Sequence, residues 1–365
     1  MSNKYIIFCF VCKCKNTDLT GSSFLLNKVC YLFTNRALPE ENLVNLNMLR
    51  LFLDNRIGVL ILLPFFLLLY LLGDVIGTTP HFGSLDSRSF IETPYWSYWP
   101  IAAFQFGMLL MNALLLNWVF NSQEFLEKNT FIISLNYLIF NSFFVDFGQF
   151  SWTLVVQTCT ILLLAIFFSI RPQNDARKAA YNAGFIFGLA LLFCSHLLLF
   201  IPVFLIMLIV LRSFQFRELL LLIIGILTPV SLIYCIEYLY QVDHVFPVSY
   251  NFQLAQLYWF EITILSLLHV LLIFGIMGLR ARLLKASLRL KKQVQVLNVF
   301  TFFTWLLGLG AFLFLGQTTL LSLLILPLTF YFAYALLSSG LGISSHLFFY
   351  LFLLSTLLKF VVLSF

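Results

Sequence analysis

The sequence predicts an all-α, polytopic transmembrane helix bundle of about eleven spans, and three observations carry that prediction. Apolar residues make up 61% of the 365-residue chain and charged ones 10%, with 44 Phe, so a charged, water-facing exterior of ordinary extent is out of reach. Runs such as Ile57–Leu72, Trp152–Ile170 and Leu219–Tyr240 hold no charge other than Glu237. A hydrocarbon slab about 30 Å thick asks this of a helix. The bases sit in short loops between such runs, where they orient helices. Nucleic acid would need a basic face with interleaved polar and aromatic residues, and the net charge of +6 is not arranged that way.

Residues 1–47 differ from the polytopic domain expected over 48–365. They mix polar and apolar residues without periodicity, and Tyr5–Val11 is too short to span. Cys9, Cys12 and Cys14 lack the second ligand pair of a zinc site. Met48-Leu-Arg-Leu-Phe-Leu-Asp-Asn-Arg56 reads as a normal cytoplasmic start, so the expectation is translation from Met48, or else a disordered cytoplasmic tail before it.

Spans are expected near 57–73, 100–120, 131–146, 152–170, 183–195, 197–211, 219–240, 260–279, 296–315, 320–337 and 346–365. With the N-terminus inside, the inner loops collect fourteen bases between Arg50 and Lys292, against Arg88 and Lys359 outside. The stretch 280–295 is then a basic cytoplasmic loop. Its segment Arg280–Lys292 has six bases and no acid, and is expected to lie on the lipid surface as an amphipathic helix.

Ala183–Leu211 is flanked by bases on both sides, so it must enter and return. As one helix it would be about 43 Å long and exit on the wrong side. As two it breaks at Cys194-Ser195-His196, with Pro202 soon after, and such a break needs cover from protein or a water-filled cavity. Gly184-x-x-x-Gly188 lets another helix approach closely, and a pocket near His196 is expected.

This run, a basic loop followed by Gly184-x-x-x-Gly188-Leu-Ala190, a polar break and a Leu/Pro-rich return, resembles a segment of the GT-C glycosyltransferases. Leu53-Asp-Asn-Arg56, Asn112-Ala-Leu-Leu-Leu-Asn117, Ala183–Ala190 and Phe214-Gln-Phe-Arg-Glu218 are similar to an uncharacterised family of Bacteroidota multi-pass membrane proteins. The chain departs from the glycosyltransferase pattern in lacking a Lys at the break and an acidic pair after the first span.

In this topology Asp74, Asp86, Glu92, Asp146, Glu237, Asp243 and Glu261 reach the outer boundary, together with His81, His196 and His244. An acidic mouth suits a divalent cation or an acceptor that must lose a proton. It also arises simply because bases are excluded from outer loops. The longest outer loop, 77–99, holds Asp86, Arg88 and Glu92. The glycosyltransferase resemblance implies an acid there as base: Asp86 first, Asp74 or Glu92 second. Arg88 would then grip the phosphate of a polyprenyl-phosphate donor, with His81 and His196 at hand. A solvated loop with a local ion pair is the alternative. Trp96 and Trp99 can stack on a sugar face, but aromatic residues just before a span are ordinarily the interfacial belt.

Asn136, Asn141, His269 and His346 are expected to hydrogen-bond between helices. Five histidines at different depths do not make a four-histidine iron site. No dinucleotide fingerprint, Walker loop, thiol redox pair or nucleophile elbow is present. The competing functions are a GT-C-like sugar transfer to an envelope acceptor, a non-catalytic scaffold in envelope biogenesis and, third, a transporter, which would need charge pairs within its spans. The lipid bilayer is the partner all three share.

Overall fold

The computed structural model describes residues 52, 57–76, 98–126, 129–145, 147, 151–171, 175–212, 215–241, 259–283, 286–316 and 318–337, with scattered positions between 347 and 356. Every regular element among them is helical: α1 (Ile57–Ile76), α2 (Tyr98–Ser122), α3 (Ile132–Asn141), α4 (Thr153–Ser169), α5 (Arg177–Phe193), a 3₁₀ turn (Ser195–Phe200), α6 (Ile201–Leu211), α7 (Phe216–Tyr240), α8 (Trp259–Leu283), α9 (Leu288–Leu315), α10 (Thr318–Ser322) and α11 (Ile325–Leu337). Five stretches are long and apolar enough to cross a bilayer: Trp99–Ser122, Phe216–Tyr240, Glu261–Arg280, Leu288–Leu315 and Thr318–Leu336. Four shorter apolar helices join them.

Hydrogen bonds fix which ends lie together. Ser134 Oγ donates to Ala113 O at 3.0 Å and Asn121 Nδ2 to Thr130 O at 3.1 Å, so α2 and α3 are antiparallel. Asn112 Nδ2 donates to Leu154 O at 3.0 Å while the Phe125 and Phe168 rings meet at 5.2 Å, so α2 and α4 run the same way. At the Phe168 end, Gln293 near the start of α9 donates to Phe168 O at 3.2 Å. At the other end, the hydroxyls of Thr153 and Thr319 are 3.4 Å apart. Phe120, Phe125, Phe168 and Phe330 interlock largely edge-on at the first end, where aromatic volume fills space that water cannot enter.

Glycine sets the tightest contacts. A Cβ on Gly184 would stand 2.1 Å from Leu222 O, and one on Gly188 would stand 2.6 Å from Ile226 O and 2.4 Å from the Pro229 ring. Residue numbers rise together along both helices, so α5 and α7 are parallel. Consecutive parallel helices require the chain to come back between them, and Ser195–Leu211 does so. Its 3₁₀ turn and α6 cover about 28 Å, matching about 26 Å for α5. Phe204 of the return packs on Phe187 with ring centroids 4.6 Å apart. The expected broken hairpin is therefore present, with Cys194 extended (φ −148°, ψ 99°) at the break. The first limb begins at Arg177 rather than Ala183, because Arg and Lys stems can extend a helix beyond its apolar stretch. A second parallel pair, α8 and α11, meets at Gly275 against Tyr331 and Gly278 against Ala335.

Two expectations change. The span expected over 131–146 is a ten-residue helix, about 15 Å long and buried on every side, so it reaches only half-way through a bilayer. The span expected over 320–337 stands as the apolar stretch Thr318–Leu336, with a turn at Leu323-Leu324 between α10 and α11. The stretch 280–295 is no surface-lying amphipathic helix: α8 continues to Leu283 and α9 starts at Leu288, capped by Ser287 Oγ accepting from Leu290 N at 3.3 Å.

Candidate functional site

Asp86, Arg88, Glu92, His81 and Trp96 lie outside the described residues, as do Asp146, Asp243, His244 and His346. Asp74 falls within α1, near its C-terminal end. Trp99, the second residue of α2, is 63% exposed. His196 is half-buried in the 3₁₀ turn after the Cys194 break. These last two share one end of the bundle. Trp152, before α4, stacks on Phe193, at the close of α5, with centroids 4.9 Å apart, and α2 begins at the same end as α4. Glu237 and Glu261 are both buried, at 5% and 7% exposure, near the end of α7 and the start of α8. Among the described residues no three His, Cys, Asp or Glu side chains gather as metal ligands. A cavity of about 140 Å³ opens beside Ser169, Arg171 and Asp175, at the end opposite His196.

The densest chemistry is a buried polar cluster around α3. Tyr137 Oη donates to Gln157 Oε1 at 2.5 Å, and Gln157 Nε2 donates to Asn141 Oδ1 at 3.0 Å and Ser322 O at 3.3 Å. Gln157 thereby ties α3, α4 and α10 together. The next residue of α4, Thr158, donates through Oγ1 to Asn112 Oδ1 at 2.7 Å, which with the Asn112–Leu154 bond joins α2. In hydrocarbon such groups have no water to turn to, so they bind one another. Asn141 is thus the interhelical partner its sequence position predicts. So is His269, whose Nε2 accepts from Trp305 Nε1 at 2.6 Å while Nδ1 meets Leu265 O at 2.6 Å. The indole only donates, so Nδ1 carries the ring proton.

Asn136 departs from expectation. It is completely buried, and neither amide atom has a hydrogen-bond partner. Its face of α3 is the apolar one, where Phe140, one turn on, packs against Phe332 at 5.9 Å. Reading the sequence singled out Asn136 and Asn141 but missed Tyr137 and Gln157; an amide and a phenol spaced through apolar runs were the available signal.

Charge concentrates at the end away from His196. Arg212 Nη1 donates to Glu218 Oε1 at 2.6 Å, with side chains only 10% and 3% exposed, bracing the link between α6 and α7. Arg289 Nη2 and Gln293 Nε2 both donate to Gln123 Oε1, at 2.9 and 3.1 Å. Tyr334 Oη donates to Phe125 O at 2.9 Å at this same end.

Neither the comparison with curated proteins nor that with solved structures finds a match. A family of unknown function, DUF6427, matches residues 95–363, from just before α2 to near the C-terminus, and the chain belongs to that family.

Proposed function

We propose that this is a multi-pass protein of a bacterial inner membrane, N-terminus cytoplasmic, that transfers a sugar from a polyprenyl-phosphate donor to an envelope acceptor at the outer face. The observation supporting this is the broken hairpin Arg177–Leu211, the element that resembles the GT-C transferases, with its polar turn at the end remote from the bases. By the positive-inside rule the basic end is cytoplasmic, which puts Trp99, His196 and the loop leading into α2 on the outer side. In the reaction, Asp86 takes the proton of the acceptor hydroxyl as its oxygen bonds to the anomeric carbon. The bond from that carbon to the phosphate oxygen breaks, and the lipid phosphate leaves with the electron pair against Arg88. Asp74 or Glu92 is the alternative base, and Trp96 or Trp99 offers a face for the sugar ring.

A second reading is a non-catalytic scaffold of an envelope-biogenesis complex. It is favoured by the glycine-tight helix pairs and by a polar cluster that binds mainly to itself. Complementation of a deletion strain separates the two readings, with membrane abundance followed by immunoblot. Transfer predicts that Asp86→Asn inserts normally yet fails to complement, and that Arg88→Lys is milder than Arg88→Ala. Full complementation by Asp86→Asn, and by the corresponding changes at Asp74 and Glu92, would leave the scaffold alone.

A further inference from the structure

We propose that the start of α9 is a headgroup ledge for anionic phospholipid, formed by Arg289, Lys291 and Lys292. Arg289 is fixed in place. Its guanidinium binds Gln123 Oε1 at 2.9 Å, and Gln293, 3% exposed, holds that oxygen from the other side while anchoring to Phe168 O. The ledge therefore rests on the ends of α2 and α4. Lys291 and Lys292 are exposed beside it, and no described acid pairs with them.

The local charge balance calls for an outside anion. Among the described residues this end carries ten bases, Arg171 to Lys292, and three acids, Glu124, Asp175 and Glu218. Glu218 is taken by Arg212, and Asp175 lies 3.7 Å from Arg177. The first turn of α9 has no acid, so its bases oppose the positive end of the helix dipole. Membrane orientation requires bases at this end, but not a guanidinium held on the side chain of Gln123, which Gln293 in turn braces.

The surroundings select a lipid. Leu288 is 81% exposed next to these bases. Apolar side chains projecting at the level of cationic ones match the boundary between acyl chains and headgroups. A soluble anion would gain nothing from Leu288.

The full-length protein, purified in maltoside, is tested with phosphatidylglycerol, phosphatidylcholine and inorganic phosphate by thermal unfolding and by native mass spectrometry of retained lipid. Phosphatidylglycerol should raise the midpoint by about 3 °C, an effect that fades in 1 M salt, whereas the other two leave it unmoved. Lys291→Gln combined with Lys292→Gln should lose at least half of that shift and of the retained lipid, with helix content unchanged. Arg217→Gln, at the same end on α7, should keep both. Equal stabilisation by phosphatidylcholine or by phosphate alone would overturn the proposal. So would an unaltered double variant, or an equal loss in Arg217→Gln, which would mean a diffuse field. A stoichiometric protein shielding Lys291 from amine labelling in place of lipid would overturn it too.

Discussion

Two glycines of the same bundle make opposite demands. A Cβ on Gly184 would overlap Leu222 O at 2.1 Å, whereas one on Gly310 meets nothing within 4 Å. Backbone cannot yield as a side-chain tip can, so Gly184→Val should push α5 off α7 and cost about 3 kcal/mol. Gly310→Ala should be neutral or stabilising by up to about 1 kcal/mol. Thermal unfolding in detergent compares them, and equal midpoints would refute the close contact. Gly184 and Gly188 were legible because their four-residue spacing is a known packing signal. Gly225, which meets Tyr181 O, was not, since a single glycine in an apolar run carries no such mark. Asn136 makes the reverse prediction. Its amide forgoes both hydrogen bonds in a dry interior, so Asn136→Leu should stabilise the fold by about 1–2 kcal/mol. Lost complementation by a variant that melts higher would mark Asn136 as functional, as intramembrane polar groups often are.

At the scale of elements, the sequence revealed apolar content better than helix length. Residues 131–146 are apolar enough to suggest a crossing, yet the helix ends at Asn141, whose Nδ2 turns back to Tyr137 O at 3.1 Å, and Ser142 Oγ caps Ile139 O at 2.7 Å. Hydropathy cannot register that the neighbours of α3 bury all ten of its residues. The broken hairpin was readable because charge on both flanks forces an even number of passes, a constraint that holds whatever the packing. The polar cluster ties α3 to α4 and α10, and its strength is testable. Tyr137→Phe removes the bond to Gln157 and should cost about 1 kcal/mol, because membrane hydrogen bonds are individually modest. Gln157→Leu should cost more, since Tyr137, Asn141 and Ser322 O all lose the same partner. Equal midpoints for the two variants would show that Gln157 does not act as the junction.

Across the described helices, the pairing of helix ends defines two ends without reference to any membrane, and the described bases gather at one of them. Arg177 and Arg212 bracket the hairpin at one end, while Cys194 and His196 mark the other. The outer loop that was the sequence's first choice for chemistry falls outside the described residues, so its role depends on which of these ends faces out. Single cysteines in a background with the native ones replaced decide that. An impermeant thiol reagent applied to intact cells should label position 196 and spare positions 178 and 212; after permeabilisation all three should react. Residues 178 and 212 reacting from opposite faces would contradict the parallel packing of α5 on α7. Both reacting from outside would keep the fold but invert it, placing the turn with His196 in the cytoplasm and removing the case for chemistry on the outer face. Spacing between charges, not any single charged residue, carries this prediction, so conservative changes at Lys178 or Arg212 alone should leave the labelling pattern intact.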